Sequence, residues 1–297
     1  MASACEILVE HADETLAREL VLIAQTEALR IEHKFSRYRE DSVIAQVNAA
    51  RGKPLSVDDE MALLLDFAGQ RHPLSGGLFD VTSRVLRTAW RFDGSDHLPD
   101  PALVEALCRR VGWHRVVWQR PWLTLPAGTE LDSGGIGKKY TVDRVLALLL
   151  AQAPVPVLVN FGGDLVVSGP RSDGRAWQVG VERPLSTASP SSEALPSAAG
   201  LIDLSAGALA TSGDARRYLL KDGIRYSHIL DPRSGWPVRD APRSVTTGVA
   251  MNRIIHVLRI GILRMLSWVQ TVCRQGHADL GARRRRRTRA ESTRRFS

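Results

Sequence analysis

LDSGGIGKKYTVDRVLALLLAQAPVPVLVNFGGDLVVSG, residues 131–169, holds in one run the two patterns that decide the fold. From Lys138 to Ala151 the apolar residues Val142, Val145, Leu146 and Leu149 recur at three- and four-residue spacing, the period of a helix with one buried face. Beyond it the period changes. VPVLVN and DLVVSG are short β-branched runs that meet at Gly162-Gly163, a turn or bulge between two strands, and AWQVGVE (176–182) follows as a third. Helices and strands that intermingle without regular one-to-one alternation favour an α+β fold with mixed or antiparallel sheets and packed helices over a doubly wound one.

Working outward from that stretch, a short strand near Glu6–Glu10 precedes Leu16, Leu20, Ile23, Ala24, Ala28, Ile31 and Phe35, which predict a long amphipathic helix with one face on the sheet. Ser56 with Asp59 three residues on reads as a capping box, and Met61, Leu64, Leu65 and Ala68 give the helix after it an apolar stripe. Val111–Leu125 reads as a hairpin, VVW and LTL around a Gln-Arg-Pro turn, with tryptophans that belong to the core. Pro184–Ala199, rich in Pro, Ser and Ala, reads as a solvated excursion.

The formal net charge of +8 over 297 residues invites a nucleic-acid reading until its location is considered. Gly281–Ser297 carries eight Arg against one Glu, and Met251–Leu280 four Arg against one Asp, so residues 1–250 are slightly acidic. The high isoelectric point belongs to a tail. Two parts are therefore expected, a folded domain over 1–250 and an atypical basic tail over 251–297. A basic amphipathic helix, a nucleic-acid arm and an out-of-frame terminus compete for the tail, and the last is favoured. Cys5, Cys108 and Cys273 are odd in number and widely spaced, so neither a disulfide framework nor a zinc knuckle is implied. The opening MASACEILVEHAD has no basic n-region and no long apolar run, which reads as cytoplasmic as written, or periplasmic or inner-membrane if a leader has been lost.

Four segments pair glycines with chemistry-bearing side chains: SGGLFDVT (75–82), LDSGGIGKKYTVDRV (131–145), NFGGDLVVSG (160–169) and TSGDARRYLLKDGIRYSHILDPRSGWPV (211–238). Phe79 offers an aromatic wall and Asp80 a carboxylate; the alternative is a helix-to-helix turn with one buried Phe and a capping Asp. Gly134, Gly135 and Gly137 precede a helix whose first turn carries Lys138, a layout that suits phosphate, although the spacing fits neither a Walker loop nor GxGxxG. His228 is either a satisfied edge histidine or, in a cleft with phosphate, a general base.

The order FSRYREDSVIAQVN, SGGLFDVT, LDSGGIGKKYTVDRV, VNFGGDLVVSG, SGDARRY, RYSHILDPRSGWPV and RSVT resembles the FAD:protein FMN transferase (ApbE) family from Met1 to about Thr246. The resemblance implies an α+β fold and Mg²⁺-dependent transfer of the FMN moiety of FAD to a Thr or Ser hydroxyl of an acceptor flavoprotein, with AMP released. It implies no nucleic-acid partner, and membrane association is known in the family without being encoded here. By motif it assigns FAD contacts to Met1, Tyr38 (stacking on flavin), Leu78, Phe79, Asp80 (adenine), Lys138 (diphosphate) and His228 (flavin side and base), with the Gly137 carbonyl on Mg²⁺. Two departures stand out. Lys139 occupies a family glycine, and the metal-binding D-A-x-x-T is missing: Asp279 of Ala278-Asp279 is the nearest candidate ligand, with Arg283 in the place of the Thr. An impaired FAD-binding protein and an FAD pyrophosphatase are the alternatives.

Overall fold

The computed structural model describes residues 4–182, 198–213, 217–239 and 243–249. Strand β1 (Cys5–Val9) leads into helix α1 (Glu14–Phe35), then α2 (Val43–Ala49), strand β2 (Leu55–Ser56) and α3 (Asp59–Leu74). A 3₁₀ turn at Arg84–Thr88 and α4 (Pro101–Cys108) precede the hairpin of β3 (Val117–Gln119) and β4 (Trp122–Thr124). Helix α5 (Gly137–Gln152) opens the second half. It is followed by β5 (Val157–Phe161), β6 (Asp164–Val167), β7 (Trp177–Glu182), β8 (Ala198–Leu204), β9 (Gly207–Ser212), β10 (Tyr218–Lys221), β11 (Ile224–Ser227) and β12 (Val245–Val249).

The central sheet has the order β1-β5-β6-β9-β12 with every neighbouring pair antiparallel. Alternation along its strands separates two cores. Val157, Val159, Phe161, Val166 and Ala208 face helices α1 and α5, whose Leu20, Ala24, Val142, Val145, Leu146 and Leu149 complete that layer. Leu158, Leu165, Val167 and Leu209 face the opposite way, onto Trp177 and Leu204 of the β7–β8 pair. A further core gathers α2, α3 and the β2–β4 sheet around Ile44, Met61, Leu65 and Leu123. Glu60 of α3 ties these layers together: it accepts from Arg30 at 2.7 and 2.9 Å and Lys34 at 2.7 Å on α1, and from the Tyr140 hydroxyl at 2.6 Å on α5. Burial pushes the Glu60 carboxyl up, but those donors win and hold it at about 2.

Three local expectations need correction. The cap of α3 is Asp58, which accepts from the Met61 amide at 2.9 Å; Ser56 belongs to β2, in register with Trp122. The hairpin is confined to residues 117–124, with Trp113–Arg115 a 3₁₀ turn, and Trp122 stands 55% exposed on its edge rather than in the core. His228 follows β11 instead of lying within it. The expectations for Met1, most of the Pro184–Ala199 excursion and the tail from Met251 lie outside the described residues. Among the described residues no helix is long and apolar enough to cross a membrane.

Candidate functional site

The loop from Leu131 to Gly137 is stitched into place from several directions. Asn48 at the end of α2 brackets Leu131, its amide donating to the Leu131 carbonyl at 3.1 Å and its oxygen accepting from the Leu131 amide at 2.8 Å. The Asp132 amide donates to the Val81 carbonyl at 2.8 Å, and the Ser133 hydroxyl to the Phe35 carbonyl at 3.1 Å. Segments 35–48, 81–82 and 131–138, far apart in sequence, thus share one neighbourhood.

Asp132 organises it. One carboxylate oxygen accepts from the Gly134 amide at 2.9 Å, and the other lies 2.7 Å from Nη1 of Arg37. Added to Gly134, a Cβ would come within 3.2 Å of that carboxylate, a tight contact that Asp132 would have to yield to. Arg37 in turn donates to the Tyr38 hydroxyl at 2.8 Å and lies over the Tyr38 ring at 4.8 Å. Burial lowers the Arg37 pKa, and Asp132 and Tyr38 outweigh it to leave the pKa raised. Tyr38 itself is 79% exposed, an aromatic face offered to solvent. Arg87 reaches solvent, yet surrounding protein lowers its pKa, as do the like charges of Arg37 and Arg217, against the pull of Asp132 and Tyr38. Arg37, Arg87 and Arg217 thus bring positive charge to the neighbourhood of Asp132 and Tyr38.

His228 joins the same neighbourhood through Arg217. Its Nδ1 is 3.2 Å from the Arg217 carbonyl, which can only accept, so Nδ1 carries a proton. Its ring meets Phe92 edge-on at 6.3 Å, and Phe92 stacks on Trp90, whose indole donates to the Gly235 carbonyl at 2.9 Å.

The second cluster sits where α5 begins. Gly162 and Gly163, with φ of 57° and 85°, form the two-residue turn between Phe161 and Asp164, the left-handed geometry that a tight hairpin with a matching twist requires. The turn presents the Gly162 carbonyl to Nζ of Lys138 at 2.9 Å. Asp164 lies beside it with a side chain only 1% exposed, one oxygen 3.0 Å from Lys138 Nζ and the other 3.4 Å from Lys139 Nζ. Neither oxygen accepts a hydrogen bond of good geometry. Lys139 neither crowds the loop nor simply points to solvent; it reaches the buried carboxylate.

SGGLFDVT is a different case. Phe79 is buried against Phe67 in the α2–α3 core, so its ring is no wall for a ligand. Leu78 packs beside it, partly buried. The Asp80 carboxylate, 2% exposed, accepts from the Thr82 amide at 2.8 Å, the Thr82 hydroxyl at 2.6 Å and the Trp113 amide at 2.9 Å, and faces His72 Nε2 at 3.2 Å. It closes its own loop. Gly137 opens α5, and its carbonyl accepts the Thr141 hydroxyl at 2.8 Å. Of the other assigned residues, Tyr38 belongs to the Asp132–Arg37 cluster, Lys138 to the Asp164 cluster, and His228 meets Arg217 and Phe92, while Met1 and Asp279 lie outside the described residues. Arg37, Arg87, Asp132 and Asp164 were not assigned from sequence as site residues and now stand at the centre. A separate hollow of about 1070 Å³, lined in part by Ile7, Val9, Val21, Arg171 and Trp177, contains none of these residues.

A model of the ApbE family matches residues 1–252. The FAD:protein FMN transferase of Vibrio cholerae is 29% identical over 225 residues, 73% of this chain and 64% of that protein, so the chain spans just under two-thirds of that relative. The protein of the same name from Treponema pallidum is 32% identical over 236 residues, covering 72% of this chain and 62% of its own length. Among solved structures, the ApbE protein of Thermotoga maritima superposes with a TM-score of 0.77 at 28% identity, over 94% of this chain and 88% of its own. The Pseudomonas stutzeri flavinyl transferase ApbE gives 0.68 at 26% identity, over 90% and 85%.

Proposed function

Because the chain belongs to the ApbE family, we propose that it is an FAD:protein FMN transferase, moving the FMN moiety of FAD to a Thr or Ser hydroxyl of an acceptor flavoprotein and releasing AMP. The observation that carries this reading is the pairing, at the two ends of the 132–138 loop, of an exposed aromatic beside arginines with a lysine at a helix start: Tyr38 and Arg37 on Asp132, with Arg87 in electrostatic reach, and Lys138 at the other end. The aromatic face suits a flavin and the cations suit a diphosphate. In the transfer, the acceptor hydroxyl oxygen bonds to the phosphorus of the FMN half as its proton passes to Nε2 of His228. The bond from that phosphorus to the bridging oxygen breaks, and AMP departs with the electron pair. Lys138 and the arginines offset the charge that builds on the phosphoryl oxygens.

The Mg²⁺ expected from the family is not matched by the described residues. Among them no group of three or more His, Cys, Asp or Glu could hold a metal, Asp132 is engaged by Arg37, Asp164 faces two ammonium groups, and the Gly137 carbonyl accepts from Thr141. No step is therefore routed through it. Incubating the protein with FAD and a Thr-bearing acceptor domain, with and without Mg²⁺, tests the reading. Covalent flavin fluorescence on the acceptor is expected, and His228→Asn should lower its rate by about 10²–10⁴-fold while FAD still binds. Free FMN and AMP without a modified acceptor would overturn the transferase reading in favour of a pyrophosphatase.

A further inference from the structure

Asp164 is a carboxylate almost wholly removed from water that accepts no well-formed hydrogen bond, and it has two ammonium neighbours where one would neutralise it. Strand register places it in the row Asp164–Ala210–Thr247, two residues along from the row of Val166 and Ala208. It therefore lies on the face of the sheet that α5 covers, under the first turn of that helix. Lys138 meets one oxygen and also donates to Gly162, while Lys139 meets the other oxygen, its side chain 20% exposed. With Lys138 alone the cluster would carry no net charge, and an approaching anion would meet an already satisfied pair. With both lysines the cluster carries one net positive charge in a poorly hydrated place, where it acts most strongly.

From this we infer that Lys139 is a positioning residue for the ligand's phosphates: it takes over the neutralisation of Asp164 and leaves the charge of Lys138, and the donors not spent on Gly162, to the anionic ligand. The inference rests on the reading that Lys138 meets the FAD diphosphate. Lys139 acts through Asp164 and does not touch the ligand. It follows that the contribution of Lys139 to binding exists only while Asp164 is charged.

The test is an FAD titration followed by quenching of flavin fluorescence, on the full chain and four variants, each checked by thermal melting. Lys139→Met is expected to weaken binding by about tenfold or more, since Asp164 then cancels Lys138. Lys139→Arg, which keeps the charge, should bind within about twofold of wild type. In the Asp164→Asn background no carboxylate charge is left to neutralise, and adding Lys139→Met should leave affinity within about twofold of Asp164→Asn alone. Equal affinity of wild type and Lys139→Met overturns the inference and leaves the transferase reading intact. A loss that persists in the Asp164→Asn background overturns it as well, because Lys139 would then touch the ligand directly. That arm remains decisive if Lys139→Met alone does not fold. Failure of the wild type to bind FAD would instead overturn the underlying reading.

Discussion

Asp80 and Asp164 are both buried carboxylates beside glycine pairs, and they are built in opposite ways. Asp80 receives three hydrogen bonds from Thr82 and Trp113 and faces His72, a complete set that locks residues 80–82 against 112–113. Asp164 receives no hydrogen bond of good geometry and faces two mobile-ended lysines. A carboxylate held by two backbone amides and a buried hydroxyl is a structural joint. One neutralised only by flexible ammonium groups can redistribute charge when a ligand arrives. Burial alone does not separate the two; the rigidity of the donors does.

The contrast fails if removing Asp80 costs little. Asp80→Ala should destabilise by about 3–5 kcal/mol in urea denaturation, because the Trp113 amide and the Thr82 groups lose a charged acceptor inside the protein. Glu60 offers a third, fully partnered carboxylate against which to calibrate. Its folded pKa of about 2 lies below its ordinary value of 4.5, so its stabilisation is complete above about pH 4.5 and disappears as the pH falls through 2. About 3 kcal/mol should be lost over that interval, and Glu60→Gln should flatten that part of the stability profile. Asn48→Ala removes the bracket around Leu131 and leaves two backbone groups short of partners; about 2 kcal/mol is expected in denaturation, together with weaker FAD binding as the Asp132 loop loosens. The smallest effect on folding belongs to Asp164→Asn, less than about 1 kcal/mol, since removing a poorly satisfied charge offsets the loss of its lysine contacts. A large destabilisation there would erase the distinction between the two carboxylates.

Much of the scaffold was legible in the chain. The periodicity of Leu16–Phe35 and of Val142–Leu149, and the paired strands on either side of Gly162-Gly163, anticipated α1, α5 and the β5–β6 hairpin because local period reports which face is buried. The site was harder to read. Asp132 and Arg37 meet across 95 residues, and nothing in either local segment names the other. Asp80 carried a usable signal that pointed away from ligand binding: an Asp with Thr two positions on is the pattern of a side chain that turns back on its own backbone. Phe79 could not be assigned to core or cavity without knowing that Phe67 lay across from it. The α3 cap was misplaced by two residues because the two-residue strand at Leu55–Ser56 has no period of its own.

Among the described residues, the first strand of the central sheet pairs with β5 alone, some 150 residues downstream, with Val9 against Val157 and Cys5 against Phe161. During synthesis the ribosome must therefore release about 150 further residues before β1 finds its neighbour. Until then the inward side of α1 also waits for α5 and the sheet. The central sheet therefore closes over a long sequence distance, and a chaperone that shields the emerging β1–α1 segment should raise the yield more than one acting after β5 has been made.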